Sequence, residues 1–310
     1  MKSKSTSTPL ISIVLCTYNG ELYLNQQLES VLNQTYTNLE IIISDDASTD
    51  ATKNILKEYE GKERLKIYYQ KENLGYIKNF VFALNQSNGE FIALSDQDDI
   101  WLPDKIETLY NLFEEELLVY SNSLLIDNNG KSMHLKLSDL RNMYSGRNSK
   151  GFFLFNIVWG HALMMRKELL KYALPIPESI PHDIWFAYKA TTLTGIKYCN
   201  KVLTHYRQHQ DAYTNTLLPK NVKTRTMSKR FEYYLKQLHW LFVMKEHASN
   251  EEREFYCTFY NLFRKKEKGK YRFSLFFFAI KHQHELYRFS KKNFISRLID
   301  IRKIARGEKG

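Results

Sequence analysis

The first third of the chain alternates short apolar runs with amphipathic stretches. Ile11–Cys16 (ISIVLC), Leu39–Ser44 (LEIIIS) and Phe91–Leu94 (FIAL) are unbroken apolar runs, the pattern of strands buried on both faces, and Leu65–Gln70 adds another strand. Between them, Glu21–Leu32 sets Leu24, Leu28, Val31 and Leu32 on one helical face. Thr52–Tyr59 follows Ser48 as a capped helix, and Ile77–Gln86 follows the turn Asn73-Leu74-Gly75. Pro103 opens a helix over Asp104–Phe113. Farther on, Leu118–Ile126 reads as a strand closed by the turn Asp127-Asn128-Asn129-Gly130. Asn156–Met165 reads as another strand, and 184–192 as a helix with Asp183 at its start. Residues 131–150 are polar without a clear period and predict a flexible loop.

Strands alternating with helices predict an α/β fold: a Rossmann-like, mainly parallel central sheet with helices on both faces. Ligands of such sheets sit beyond the carboxyl ends of the strands. Three polar clusters fall there together: Thr17-Tyr18-Asn19, Asp45-Asp46 and Asp96-Gln97-Asp98-Asp99. Composition permits this fold, since 43% of the 310 residues are hydrophobic and 25% charged, which excludes wholesale disorder. Cys16, Cys199 and Cys257 are isolated, which argues against a disulfide framework or a cysteine zinc site and suits a reducing cytoplasm. The start, MKSKSTSTP, has no secretory pattern, and the longest uncharged run, Gly151–Met165, has 15 residues against the roughly 20 that span a bilayer. A soluble or peripherally attached protein is expected.

Three carboxylates within four residues repel one another unless a cation or base is present. Asp96 and Asp98 point the same way along an extended segment and offer hard oxygens suited to Mn²⁺ or Mg²⁺, which in turn neutralises a diphosphate. The competing reading is a set of acids capping the Pro103 helix. At His182-Asp183-Ile184-Trp185 the same choice arises between a helix cap and a carboxylate that works on a substrate.

TYNG (17–20), SVLNQTY (30–36), EIIISDDASTD (40–50), ENLGYIKNF (72–80) and GEFIALSDQDDIW (89–101) resemble, in order and spacing, the nucleotide-sugar half of family 2 glycosyltransferases of the GT-A fold. The likeness extends over roughly residues 9–215. SDQDDIW, HDIW (182–185) and YRQH (206–209) resemble the bacterial rhamnosyltransferase-like branch. The resemblance implies a metal-dependent inverting glycosyltransferase that moves a sugar, in this branch L-rhamnose, from a nucleoside-diphosphate donor to a cell-surface or capsular glycan, on a lipid carrier or free. It places Thr17, Tyr18 and Asn19 along the nucleotide, Glu21 near the nucleoside, Asp46 at the base with Asp45 in support, and Lys78 near base or phosphate. Asp96 and Gln97 fall at the sugar or ribose. Asp98, Asp96 and His209 become the metal ligands, Arg207 a diphosphate contact, and Asp183 the general base. Asp99 orients the loop or caps a helix. Trp159 to His161 either line the sugar pocket or form a core strand. Family sequences often continue YRQH with GNN; here Gln210-Asp211-Ala212-Tyr213 follows. Two rivals remain at this point. A sugar-phosphate nucleotidyltransferase would open with a Gly-rich basic loop, which TYNGE is not, and a glycan-binding subunit would keep the fold without catalysis.

Charge divides the chain. Residues 220–310 hold 23 Lys/Arg against 9 Asp/Glu, whereas 1–219 hold 22 against 25. The expected division is therefore a GT-A domain over 1–219, with a donor half at 9–104 and an acceptor half at 105–219, followed by a basic, aromatic-rich helical region over 220–310. Phe231, Tyr234, Leu235, Leu238, Leu241 and Phe242 share a helical stripe, and FSLFFFAI (273–280) is flanked by lysine and arginine. This region meets an anionic membrane surface at the inner face of the cell membrane, packs on the first domain, or forms a homodimer; no nucleic-acid motif accompanies it.

Overall fold

The computed structural model describes residues 8–209, 227–268 and 270–307. Its donor half runs β1 (Ile11–Thr17), α1 (Leu24–Leu32), β2 (Leu39–Asp45), α2 (Thr52–Lys57), β3 (Leu65–Tyr69), α3 (Tyr76–Asn85) and β4 (Phe91–Ser95). The short β5 (Ile100–Trp101) and α4 (Lys105–Leu112) lead to β6 (Leu118–Ile126), β7 (Ser132–Lys136) and the one-turn α5 (Leu137–Leu140). Then come β8 (Leu163–Arg166), the one-turn α6 (Leu170–Ala173), α7 (His182–Leu193) and β9 (Ile196–Arg207). Five helices follow among the described residues: α8 (Met227–Glu246), α9 (Arg253–Phe263), α10 (Phe273–Lys281), α11 (Gln283–Leu286) and α12 (Phe294–Ala305).

The strands form one sheet in the order β3-β2-β1-β4-β8-β6-β9-β5, with β7 paired to β6. Strands β1 to β4 are parallel to one another, β8 runs antiparallel between β4 and β6, and β9 is parallel to β6. Side chains alternate across β1 and β2. Val14 and Ile42 face one core, while Ile13, Leu15, Ile41 and Ile43 face another with α1 and α4, so both faces are covered. The parallel register sets Thr17 level with Asp45 and Leu15 level with Ser95, which brings three strand ends to one rim.

Two expectations change, one strand is added, and of the alternatives for the C-terminal helices, packing on the first half is met. Residues 131–150 are ordered: β7 pairs with β6, and Asn142 is tied to Phe289, Arg288 and Ser290 by backbone and side-chain bonds of 2.9–3.2 Å. Their polarity belongs to an edge, which needs no apolar period. Within 156–165 only Leu163 onward is strand, because a 3₁₀ turn at Gly160–Ala162 bends the chain toward the rim. The sequence reading had no place for β9, whose polar, cationic pattern hides its pairing with β6. The C-terminal helices share a core with the first half: Tyr234, Leu241, Tyr256, Phe259, Leu275 and Ile301 pack in one cluster with Val14, Phe152, Trp185 and Tyr188.

Candidate active site

Two loops close over the end of β1. Gln97 receives Thr17 Oγ1 at 2.6 Å and Tyr18 N at 2.8 Å on its carbonyl, and donates back to Tyr18 O at 3.1 Å. Gly20 permits this approach, since a Cβ there would lie 2.5 Å from Gln97 Oε1. Asn19 adopts φ of 49° and accepts from Thr49 N at 2.9 Å. Glu21 accepts from Ala51 N at 2.7 Å at the start of α2. Asp46 accepts from Leu74 N at 2.7 Å and Gly75 N at 3.0 Å, which holds the loop before α3. On that helix Lys78 is exposed. Asp46 and Asp96 both lie near Cys16, whose thiol burial and these carboxylates push well up.

The acidic loop has two levels. At the upper one, Asp98 Oδ2 lies 2.8 Å from His209 Nε2, with both side chains partly accessible. Asp96 is half-buried, and that partial burial together with the neighbouring Asp98 and Asp183 pushes its carboxyl above the usual carboxylate range. Below, Asp99 is fully buried, takes Arg207 N at 2.9 Å on Oδ1, and turns Oδ2, which has no hydrogen-bond partner, toward His161 Nδ1 at 3.5 Å. His161 Nε2 meets Ser123 Oγ at 3.0 Å, and its ring stacks on Tyr206 with centroids 4.2 Å apart. Asp96, Asp99 and His161 thus bring ligand atoms within 4.8 Å of one another. Beneath them the buried Lys105 Nζ donates to His161 O and to Thr204 Oγ1, the latter at 2.8 Å, and sits over the Trp101 ring.

This donor set fits a hard dication. The acids stand raised by burial and by one another, a state a cation relieves. Asp99 and His161 are enclosed, with Lys105 Nζ beneath them, whereas Asp98 and His209 are partly accessible, so the upper pair, with Asp96, is the better match for an ion open to phosphates.

On the facing side, Asp183 begins α7. Its Oδ2 accepts from Asn156 Nδ2 at 2.9 Å and its Oδ1 from Ile184 N at 2.7 Å. Burial pushes it up to about 6, opposed by hydrogen bonds from Ile184, Asn156 and the Gly160 amide. The neighbouring His182 ring is buried against Phe80, with centroids 4.4 Å apart. Asp183 flanks the Gly160–Ala162 turn, whose His161 Nδ1 lies 3.9 Å from Asp96 Oδ2, so Asp183 and the acidic loop border the same stretch of the rim.

Two residues sit otherwise than expected. Asp45 is not one of them: fully buried, it binds Ser48 through its amide and hydroxyl and shapes the turn beside Asp46. Arg207 is 1% exposed and its guanidinium is engaged: Nε on Asp98 O, Nη1 on Asp127 O and Asn128 O, Nη2 on Gln26 Oε1, with Tyr23 stacked at 4.5 Å. It braces the acidic loop instead of facing a diphosphate. Gln97, described above, is a latch between loops. Conversely, Lys105, Asn156 and Tyr23 went unread: a lysine two residues after Pro103 looks like an exposed helix start, and no local pattern distinguishes the other two.

Residues 12–173 match the family described as Glycosyl transferase family 2. Glycosyltransferase RT0329 of Rickettsia typhi is 30% identical over 224 residues, 69% of this chain and 69% of that protein. Glycosyltransferase MJ1057 of Methanocaldococcus jannaschii is 29% identical over 265 residues, 82% of this chain and 87% of its own. In fold, the chain resembles residues 1–349 of Staphylococcus aureus TarS in complex with UDP-GlcNAc, with a TM-score of 0.61 and 18% identity over 94% of this chain and 79% of that one. It also resembles the Pyrobaculum calidifontis mannosyltransferase PcManGT in complex with GDP-Man and Mn²⁺, with a TM-score of 0.53 and 20% identity over 76% of this chain and 65% of that one.

Proposed function

The chain belongs to glycosyl transferase family 2 and is a glycosyltransferase that uses a nucleotide sugar, and from that premise we propose an inverting, divalent-metal-assisted transfer to a glycan hydroxyl. The supporting observation is that Asp96 and Asp98 share one loop at the carboxyl edge of the sheet while Asp183 flanks the Gly160–Ala162 turn, whose His161 lies 3.9 Å from Asp96. Asp98 and His209, with Asp96, would hold Mn²⁺ or Mg²⁺. Bound there, the ion supplies Lewis-acid stabilisation of the leaving diphosphate. Thr17, Tyr18, Asn19, Glu21 and Asp46 frame the nucleotide side, and Lys78 stands exposed beside it. Asp183, held by Asn156 and by backbone amides, takes the acceptor proton at its carboxylate as the acceptor oxygen attacks the anomeric carbon. Its raised value keeps it a usable base near neutral pH.

The SDQDDIW and HDIW strings support L-rhamnose carried on dTDP as donor, with UDP-hexoses next. The acceptor in this reading is a growing cell-surface glycan on a lipid carrier, with the enzyme working on the cytoplasmic side. The test is a panel of dTDP-, UDP- and GDP-sugars incubated with the protein and Mn²⁺. Release of a nucleoside diphosphate, fastest with one donor and lost on chelation, is the expected result. Pyrophosphate chemistry would make it a nucleotidyltransferase, and inertness toward every donor a binding subunit.

A further inference from the structure

The last two long helices lie together over the core, with the start of α10 against the end of α12, where Arg272 N donates to Ala305 O at 2.9 Å. Leu275 and Ala279 of α10 and Ile301 and Ala305 of α12 are buried. Both helices carry large apolar side chains outward: Phe273 (67% exposed), Phe277 (65%), Phe294 (59%), Ile295 (68%) and Ile299 (51%). Phe273 and Phe277, like Ile295 and Ile299, are four residues apart and form a stripe on one helix face. The stripes are bordered by cations. Lys281 continues the α10 stripe, Lys291 and Lys292 precede α12, and Arg302, Lys303 and Arg306 end it beside the start of α10. Acids are few and occupied. Between 270 and 307 there are ten Lys/Arg and two Asp/Glu; Asp300 is held by Lys292 and Lys303, and Glu285 by Lys150 and His282.

We propose that the outer faces of α10 and α12 dock this protein on an anionic lipid surface. Aromatic and aliphatic side chains interleaved with lysine and arginine match the headgroup boundary, where the apolar groups enter the acyl region and the cations meet lipid phosphates. A nucleic-acid backbone would use the cations but leave Ile295 and Ile299 in water. No helix among the described residues is long and apolar enough to cross a membrane, so attachment is along the surface. The aromatics of this region therefore divide: Tyr234, Phe259 and Phe263 serve the core, while the α10 and α12 stripes serve the lipid. The inference rests on these helices and is independent of the transfer chemistry.

The test is co-sedimentation of the full chain with phosphatidylcholine vesicles, with and without phosphatidylglycerol. The expected result is binding to the anionic vesicles alone, weakened by high salt. Phe273→Ser/Phe277→Ser and Ile295→Ser/Ile299→Ser should each weaken it by about tenfold or more, from the apolar area removed. Arg302→Glu/Arg306→Glu should act similarly, through charge. Melting temperature and donor turnover in solution should stay at wild-type levels in all three, which separates this surface from the active site. Wild-type protein that remains in the supernatant with anionic vesicles overturns the proposal, as does equal binding by the variants. So does light scattering in which the same substitutions merely dissociate a dimer that ignores vesicles.

Discussion

Asp183 is a carboxylate whose position determines its chemistry. Burial raises it to about 6, and Asn156 together with the Ile184 and Gly160 amides keeps it from rising further. Since the base acts deprotonated, turnover should climb as pH rises through about 6 and fall away below it, measured under saturating donor and metal. Asp183→Asn should keep donor affinity yet lose roughly 10²–10⁴-fold in turnover; a variant that turns over normally would move the base elsewhere. Asp98→Asn should weaken Mn²⁺ binding by about tenfold or more in calorimetry, because His209 then faces an amide in place of an anion. Unchanged Mn²⁺ affinity would shift the ion to the Asp96, Asp99 and His161 group. Asp98 and Asp183 stand out in the sequence as candidates because each lies in a short string at a strand or helix end. Lys105 had no assigned role and Arg207 was expected on a diphosphate, because burial and the partners of long cationic side chains are set by segments far away: Lys105 meets His161 and Thr204, Arg207 meets Gln26 and Asp127.

The rim exists because β1, β2 and β4 start level as well as end level. At their amino ends Glu40 acts as a staple, accepting from Ser12 Oγ at 2.6 Å, Lys66 Nζ at 2.8 Å, Gly89 N at 3.2 Å and the Asn88 amide. Burial alone would raise its carboxyl, but Lys66, Ser12 and Asn88 outweigh it and hold the group near 2, below its ordinary 4.5. A depressed acid contributes stability above its unfolded value and loses it as pH falls. Unfolding midpoints in urea should therefore decline from pH 4.5 toward 2, and less steeply in Glu40→Gln. Gly89 is part of the same junction: an added Cβ would lie 2.6 Å from Ser12 N and 2.8 Å from Leu10 O, both backbone atoms. Gly89→Ala should cost about 1–3 kcal/mol by denaturation, since neither strand can retreat without breaking its ladder; a neutral effect would mean the junction yields. The parallel strands were legible from their apolar runs. The edge strand β7 and the partly exposed β9 were not, because half-solvated strands need no apolar run.

For the whole molecule, the basic C-terminal helices complete the core of the catalytic half. Tyr188 donates to Met244 O, and Ser149 meets Glu252 and Tyr256 inside that shared core. Deleting residues 227–310 should abolish cooperative thermal unfolding and leave an aggregating chain, rather than release a folded domain that has only lost membrane affinity. A truncated protein that melts cooperatively and hydrolyses donor would show two separable domains.

What the chain determined by itself was local and repetitive: the strand-helix alternation, the family strings at strand ends, and the uneven charge. These depend on neighbours within a few residues, where side-chain period and turn chemistry decide. Only tertiary packing decided which aspartate lies open and which lies dry, that Arg207 braces a loop, and which C-terminal aromatics are spent on the core and which are left outward. Each of those depends on the dielectric and partners that distant segments bring, and no window of sequence contains them.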